Sequence, residues 1–366
     1  YNRDNNSNIT VTQYNPNGDI SKKYTNRLGQ QYKVSTKAFG QGQYISQETQ
    51  YDVLGRKTKE SEPYFEGQTA NMWNTIVYDD TVFPTKVTAA SFNGKQMETS
   101  ISGLTTTVRE INGYGRTTSK TNDVLGNTVS STDKGGKIQF SYNAAGEQIK
   151  AQYAENMVST KYDSWGRKSE FNDPSNGIYK YEYDGLGQPK KTISPKGTKE
   201  FNYNNLGQLI SQIEISTTDG GQATNKIISY SYDNKGRIIS KSGTSKGKAY
   251  SSNVTYDPQG RLLSSSESSN GKYFIHKGIT YDDKARVSSY EKQLYSSGIL
   301  TKVQIENVYS AWNGELYQIK DKVTGKILWE LKETNAKGQV LKTKLGAADI
   351  NNTYGTNGFL TNVNHS

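Results

Sequence analysis

Apolar and polar residues alternate along most of this chain with a period of two. In seven places an apolar side chain lies two positions before a tyrosine, and in six of them the residue between the two is polar. Residues two apart share one face of a β-strand, so the pattern predicts strands with one packed and one wet face, as in antiparallel sheets. The one apolar residue between such a pair is Val77, between Ile76 and Tyr78. The seven pairs are Ile76/Tyr78, Phe140/Tyr142, Tyr181/Tyr183, Phe201/Tyr203, Tyr230/Tyr232, Val254/Tyr256 and Ile279/Tyr281.

Most of these strands end in one five-residue phrase: Tyr, then Asp or Asn, two variable residues, and Gly. Asp at the first position and Gly at the fourth are typical of a type I turn, and Gly can take the positive φ that a three-residue hairpin loop with a bulge requires. Each phrase is therefore predicted to be a hairpin tip. Strict copies begin at Tyr14, Tyr51, Tyr142, Tyr162, Tyr183, Tyr203, Tyr232 and Tyr256, and looser ones at Thr25, Ile111, Asn122, Tyr281, Thr334 and Tyr354.

The residue after the glycine tends to match the residue after the tyrosine. Asp goes with Arg, as in Asp52/Arg56, and Asn goes with Gln, as in Asn204/Gln208. These two positions lie opposite each other across such a hairpin, where opposite charges or amides attract. Three copies match less well: Asp184/Gln188, Asn112/Arg116 and Asn143/Glu147.

We expect the recurring positions of the tip phrases to have a structural role. In each copy these are the positions that hold the favoured residue, Tyr, Asp, Gly or Arg. They are Tyr51, Asp52, Gly55, Arg56, Tyr142, Gly146, Tyr162, Asp163, Gly166, Arg167, Tyr183, Gly187, Tyr203, Gly207, Tyr232, Asp233, Gly236, Arg237, Tyr256, Asp257, Gly260 and Arg261.

A second turn signal falls between successive phrases, so one repeat is two strands and two turns of a continuous antiparallel meander. The segment at about 60–109 lacks clean phrases and is interpreted as an irregular insertion, with a lid, a sheet bend or a long connection as alternatives. The second turns are Asp133-Lys134-Gly135-Gly136, Asp173-Pro174-Ser175-Asn176-Gly177, Pro195-Lys196-Gly197, Asp219-Gly220-Gly221, Asn270-Gly271 and Ser297-Gly298.

Composition narrows the class of protein. Of 366 residues only 32% are hydrophobic, yet 27 are Tyr and 35 are Gly, a mixture that suits broad thin sheets, because tyrosine can bury its ring and keep its hydroxyl wet. There is no Cys, hence no disulfide, and no run of 18 apolar residues that would span a membrane. The net charge of +10 is dispersed without a recognition helix or Arg-rich arm, which disfavours nucleic-acid binding.

Candidate chemistry is sparse, and we expect no catalytic, cofactor or metal site. Histidine occurs only at His276 and His365. The doublets Asp79-Asp80 and Asp282-Asp283 lie in or beside tip positions, and neighbours in a strand point to opposite faces. The turn aspartates match Arg too regularly to be free calcium ligands.

The tryptophans offer a sugar-binding platform as an alternative. Trp165 occupies a tip slot that holds Leu in four other copies, Leu54, Leu125, Leu186 and Leu206, and this substitution pattern favours a packing role. The remaining tryptophans are Trp73, Trp312 and Trp329.

The phrases at Tyr162, Tyr232 and Tyr256, each ending in Gly-Arg, closely resemble the YD repeat of the bacterial Rhs family. The same repeat occurs in the B and C components of Tc toxins, in wall-associated polymorphic toxins and in animal teneurins. The resemblance implies a spiralling β-sheet wound into a hollow shell, or cocoon, that sequesters a C-terminal effector. The family's self-cleavage motif is absent from the sequence, so no catalytic residue is carried over.

The sequence therefore predicts an all-β chain whose residues 1–366 form one YD/Rhs-repeat shell segment of a longer, bacterial, secreted or cell-surface protein. Its expected partners are its own C-terminal effector or another polypeptide cargo, together with secretion machinery. A surface adhesin or glycan-binding repeat protein is the alternative function.

Overall fold

The computed structural model describes residues 2–14, 20–217 and 223–366, apart from the side chains of residues 217, 223 and 224. These residues form 33 β-strands and no helix, which confirms the all-β prediction. The first strands are β1 Asn2–Arg3, β2 Ile9–Tyr14, β3 Ile20–Thr25, β4 Gln31–Lys37, β5 Tyr44–Tyr51, β6 Lys57–Ser61, β7 Tyr64–Phe65, β8 Trp73–Asp79, β9 Lys86–Ala90, β10 Gln96–Ser102 and β11 Thr105–Glu110. Next come β12 Thr117–Asn122, β13 Thr128–Asp133, β14 Gly136–Tyr142, β15 Gln148–Tyr153, β16 Asn156–Tyr162, β17 Lys168–Asp173, β18 Gly177–Tyr183, β19 Pro189–Ser194, β20 Gly197–Tyr203, β21 Leu209–Thr217, β22 Ala223–Tyr232 and β23 Ile238–Ser245. The last are β24 Lys248–Tyr256, β25 Leu262–Ser269, β26 Lys272–Tyr281, β27 Val287–Ser296, β28 Ile299–Tyr309, β29 Leu316–Asp321, β30 Ile327–Thr334, β31 Val340–Leu345, β32 Ala348–Tyr354 and β33 Leu360–His365.

The chain divides into two units. The first unit comprises Tyr1–Ser119, Tyr281–Ser289 and Ile305–Ser366, and the second comprises Lys120–Thr280 and Tyr290–Gln304. In the second unit every strand from β13 to β26 pairs antiparallel with the next one along the chain, a meander as predicted.

The first unit contains the one branch in the described pairings. Strand β5 pairs with β6 through Thr49–Tyr51 and with β7 through Ile45–Ser46. Strand β6 then pairs with β8, and the meander continues through β11. The segment 60–109 is thus mostly regular sheet, and its irregular parts are the stretch between β6 and β8 and the turn between β8 and β9.

Residues far apart in sequence meet in the first unit through side chains. The Lys37 ammonium donates to the Trp312 carbonyl oxygen at 2.6 Å, and Asn313 Nδ2 donates to the Ala38 carbonyl oxygen at 3.3 Å. Lys337 Nζ lies 2.5 Å from a Glu62 carboxylate oxygen. We call these contacts the seam; they hold strands from early and late parts of the chain in one compact unit.

The predicted alternation of packed and wet faces is confirmed. Along the end of β18, Tyr181 and Tyr183 are half-buried while Glu182 between them is exposed. Val77, the apolar residue at such an intermediate position, also lies on the wet face and is 62% exposed. Backbone pleating thus decides which residues face water here, even against hydrophobicity.

The second turns from Asp133 to Gly271 that lie in the described residues are hairpin connections. Asp133 pairs with Gly136, and Ser194 pairs with Gly197, across two-residue loops. The predicted turn Asp219-Gly220-Gly221 and the tip that follows Tyr14 lie outside the described residues. None of the described residues forms a helix with the length and apolar character needed to cross a membrane.

Candidate functional site

Each regular hairpin tip has the same backbone geometry. At the tip after Tyr51, the Asp52 amide donates to the Arg56 carbonyl oxygen at 2.9 Å and the Gly55 amide donates to the Asp52 carbonyl oxygen at 3.0 Å. Gly55 has φ +81°, and the strand register shifts at Tyr51. This is a type I turn followed by a left-handed glycine bulge, as predicted.

The first tip residue organises the loop with its side chain. In the tip Asp163–Arg167, Asp163 Oδ1 accepts hydrogen bonds from the amides of Trp165 and Arg167, and Oδ2 accepts one from Arg167 Nε at 2.7 Å. The hydrogen bond from the Arg167 side chain, followed by those from the backbone amides, lowers the pKa of the Asp163 carboxyl against the opposing effect of burial.

The matched Asn and Gln residues replace this ion pair with an amide pair. Asn204 Nδ2 donates to Gln208 Oε1 at 2.7 Å, while Asn204 Oδ1 keeps the backbone contacts that Asp makes elsewhere. The mixed copy Asn143/Glu147 is joined in the same way, at 2.6 Å. Asn112/Arg116 is different: Asn112 contacts Gly94 and Gln96 instead, so that loose copy is no regular tip.

The fifth tip residue also reaches the following tip. In the tip Asp184–Gln188, Gln188 Nε2 donates to the Gly207 carbonyl oxygen at 2.8 Å instead of contacting Asp184. Arg56 forms a two-pronged contact with Asp80 at 2.8–2.9 Å. Side chains that leave their own hairpin thus strap successive tips together.

This strap gives the tip glycine a second role. A Cβ built on Gly236 would lie 3.2 Å from Gln208 Nε2 of the preceding tip, and the residue already has φ +78°. The sequence indicated the φ requirement, but the close approach of the neighbouring side chain appears only in three dimensions.

The tyrosine that opens each tip is bonded to the preceding repeat. Its hydroxyl donates to the backbone carbonyl of the residue just after the preceding tip, as Tyr183 does to Lys168 at 2.9 Å. We call the tyrosines that make this contact, with their tips, the tip ladder. They include Tyr51, Tyr78, Tyr142, Tyr162, Tyr183, Tyr203, Tyr232, Tyr256, Tyr309 and Tyr354.

The arginine of one tip covers the tyrosine of the next. The Arg167 guanidinium lies 4.5 Å from the centre of the Tyr183 ring, and Arg237 lies 4.2 Å from that of Tyr256. A guanidinium at this distance is attracted by the ring's face. Every described residue of the predicted repeat set therefore lies in the tip ladder, as part of a contact within or between repeats.

The sequence missed the contacts between repeats. The available signal was the opening slot of the tip, which holds Tyr in ten of the fourteen copies and Phe in none, whereas the slot two residues earlier accepts Phe, Tyr, Val or Ile. A slot that needs only a ring would also accept Phe, so the hydroxyl was the clue.

The packing role predicted for Trp165 and the four leucines in its slot is wrong. Trp165 is 81% exposed and Leu206 is 83% exposed, and the other leucines are exposed as well. This slot lies at the outermost point of the loop, beyond the reach of the sheet's faces.

Three of the other candidate residues, Asp79, Asp80 and His276, have side-chain contacts of a structural kind. Asp80 accepts hydrogen bonds from Arg56 and Thr85, and Asp79 accepts one from the Thr81 amide. The His276 ring lies edge-on to that of Tyr290, and burial lowers the pKa of His276. In the part of the chain that the structure describes, no group of three His, Asp or Glu side chains could hold a metal ion.

Part of the tip ladder matches a known protein family. Residues 127–211, which include four successive tips from Asn143–Glu147 to Asn204–Gln208, match the family model of the teneurin YD-shell. No curated protein matches the chain significantly.

Two solved structures resemble the whole chain. The crystal structure of TcdB2-TccC3 without its hypervariable C-terminal region has a TM-score of 0.52 at 14% identity, covering 98% of this chain and 22% of that one. The Photorhabdus luminescens Tc holotoxin pore has a TM-score of 0.46 at 14% identity, with 98% and 26% covered. The chain thus spans about a fifth of the length of the first structure. The fold of this chain is a YD-shell fold, and the resemblance to the Rhs/YD-repeat shell family is confirmed.

Proposed function

We propose that this chain is a segment of a hollow shell that encloses a polypeptide, the C-terminal effector of the same protein. The tip ladder carries the proposal, because its tyrosine, arginine and glutamine side chains join one repeat to the next. The YD-shell fold, met in a Tc toxin structure, supports the same reading.

The burial pattern is also what a wall would need. Only Ala38, Tyr64, Ile279, Ile305 and Leu331 are buried among the apolar side chains of the described residues. A sheet with so little buried core has two accessible faces, one for each side of a wall. We infer a non-enzymatic role, with export to the cell surface or beyond and secretion machinery as a further partner.

Protease protection tests enclosure. The full-length gene product that contains this chain would be treated with trypsin, and the effector should resist digestion until the sheet is unfolded by denaturant. A Gly236→Val variant, which strains the shell, should lose protection, whereas Leu206→Ser should keep it. Equal digestion of the effector in the native and unfolded protein would contradict enclosure.

Glycan binding is a second candidate function, favoured by the exposure of Trp165 at its tip. Aromatic faces stack on sugars, and this ring is free of the sheet. Binding on a glycan array that disappears in Trp165→Ala and persists in Leu206→Ala would support it. Absence of binding by the unsubstituted chain would remove it.

A further inference from the structure

A gap interrupts the tyrosine-bearing face of the second unit at Gly243. Within the strand register, Ile228 pairs with Gly243, and Gly243 pairs with Tyr250, so these three positions share one face. A cavity of about 380 Å³ lies beside Gly243. No other residue type fits at position 243, because a Cβ there would lie 1.7 Å from the Ile227 carbonyl oxygen.

Two lysines flank this gap on the same face. Lys226 pairs with Ser245 at one side, and Lys241 pairs with Tyr230 at the other. All four residues line the cavity together with Ile228 and Tyr250. The register sets the two lysines four residues apart along the strands, which is roughly 13 Å.

Neither lysine is neutralised. Within the described residues, no carboxylate oxygen lies within ion-pairing distance of Lys226 Nζ or Lys241 Nζ, although both side chains are half-buried. Glu214, the residue opposite Lys226 in the register, is paired with Lys199 at 3.5 Å. Glu267, two strands beyond Lys241, is exposed. The gap therefore lies between two positive charges that form no ion pair with any of the described residues.

We propose that this site, the lysine-flanked gap, binds an extended polypeptide segment with two acidic residues four positions apart and an apolar residue midway between them. An extended segment advances about 13 Å over four residues, matching the lysine spacing. Its first, third and fifth side chains point to one side, so the carboxylates meet Lys226 and Lys241 while the central side chain enters the gap beside Ile228 and Tyr250.

Charge spacing favours a peptide over a nucleic acid. A nucleic-acid strand carries a phosphate on every nucleotide, so charges between the two lysines would lie over Ile228 and Tyr250, which offer no cation. The proposal rests on the proposed enclosure of a polypeptide and assigns a contact to it.

Fluorescence anisotropy with a labelled probe tests the site on this chain alone. The probe is Ser-Glu-Ser-Phe-Ser-Glu-Ser, and its matched control has the same composition with the two Glu adjacent. The spaced peptide should bind roughly tenfold more tightly, a difference typical of one well-placed charge contact. In Lys226→Gln/Lys241→Gln the difference should vanish, whereas Lys134→Gln/Lys196→Gln, which removes the same charge from exposed turns, should retain it.

Three results would overturn the proposal: equal affinity for the two peptides, equal loss in both double variants, or tighter binding of a twelve-residue oligothymidine, which marks a general polyanion surface. Thermal melts of both variants establish that they fold. The assay is independent of protease protection in the full-length product. Loss of protection with preserved peptide binding would therefore count against enclosure alone.

Discussion

The two units use the same repeat but are stabilised differently. Of the buried residues, twelve lie in the first unit and three in the second. The second unit is held by contacts between neighbouring repeats, while the first adds the seam between distant parts of the chain. Of the seam side chains, Lys37, Glu62 and Asn313 lie outside the phrases, whereas Lys337 lies in the looser tip after Thr334. The repeat therefore extends the sheet, and mostly irregular residues determine where distant segments join.

Substitution of a tip glycine should have the largest effect. Gly236→Val forces a β-branched residue to positive φ against Gln208, so we expect a loss of about 3 kcal/mol in the free energy of unfolding, measured with denaturant. Ala285 provides the control, because it holds the same slot at φ +61°. Ala285→Gly should stabilise the protein by about 1 kcal/mol. A Gly236→Val protein as stable as the parent would refute the conformational requirement.

Removing the seam ion pair should destabilise only the first unit. Lys337 pairs with Glu62 and lies 4.6 Å from the centre of the Phe92 ring, so Lys337→Ala should reduce stability by about 2 kcal/mol. Hydrogen exchange should accelerate at residues 62–74 and stay unchanged at residues 128–216. Lys284→Ala, in the same slot of another tip, is the control. Acceleration in both units would mean that they do not open separately.

Loss of one tyrosine hydroxyl should have a smaller, local effect. Tyr183→Phe removes the hydrogen bond to the Lys168 carbonyl and should reduce the free energy of unfolding by about 1 kcal/mol. Tyr179, on the same face of β18, has no hydroxyl partner among the described residues, so Tyr179→Phe should be nearly neutral. Equal effects of the two substitutions would show that the hydroxyl contact contributes nothing specific.

Acid should weaken the Asp/Arg tips before the amide tips. The folded-state pKa of Asp163 lies below its unfolded value, so its contribution is complete above the unfolded pKa, near 4, and is lost as pH falls through the folded pKa. Asp163→Asn/Arg167→Gln should therefore flatten the dependence of the denaturation midpoint on pH below about 4. An unchanged slope would place the acid sensitivity elsewhere.

Substitution at an exposed tip should have the smallest effect. Leu206→Ser changes a side chain that lies outside the sheet, so the free energy of unfolding should change by less than about 0.5 kcal/mol. A loss of 2 kcal/mol or more would restore the packing role that the sequence suggested for this slot.

Much of the fold was predictable because it is local. The Asp163–Arg167 tip depends on five adjacent residues. The alternation Tyr181, Glu182, Tyr183 by itself indicates which side chains lie on the packed face of the strand. The strap from Gln188 to Gly207 and the hydroxyl contact of Tyr183 join residues about one repeat apart, with a backbone atom as acceptor. Because every residue type has a backbone carbonyl, the sequence does not show which residue accepts such a hydrogen bond. The seam was not predictable, because Lys337 and Glu62 meet only through the folded path of the chain.

The position of the tyrosine acceptor has a consequence for how such a chain diversifies. The hydroxyl of Tyr142 reaches back 14 residues and that of Tyr232 reaches back 23, yet both end on the carbonyl just after the preceding tip. Most of the extra residues lie in longer strands, since β21 and β22 have nine and ten residues where β13 and β14 have six and seven. Because any amino acid supplies that carbonyl, a repeat can be duplicated, deleted or lengthened by recombination without a compensating substitution in its neighbour.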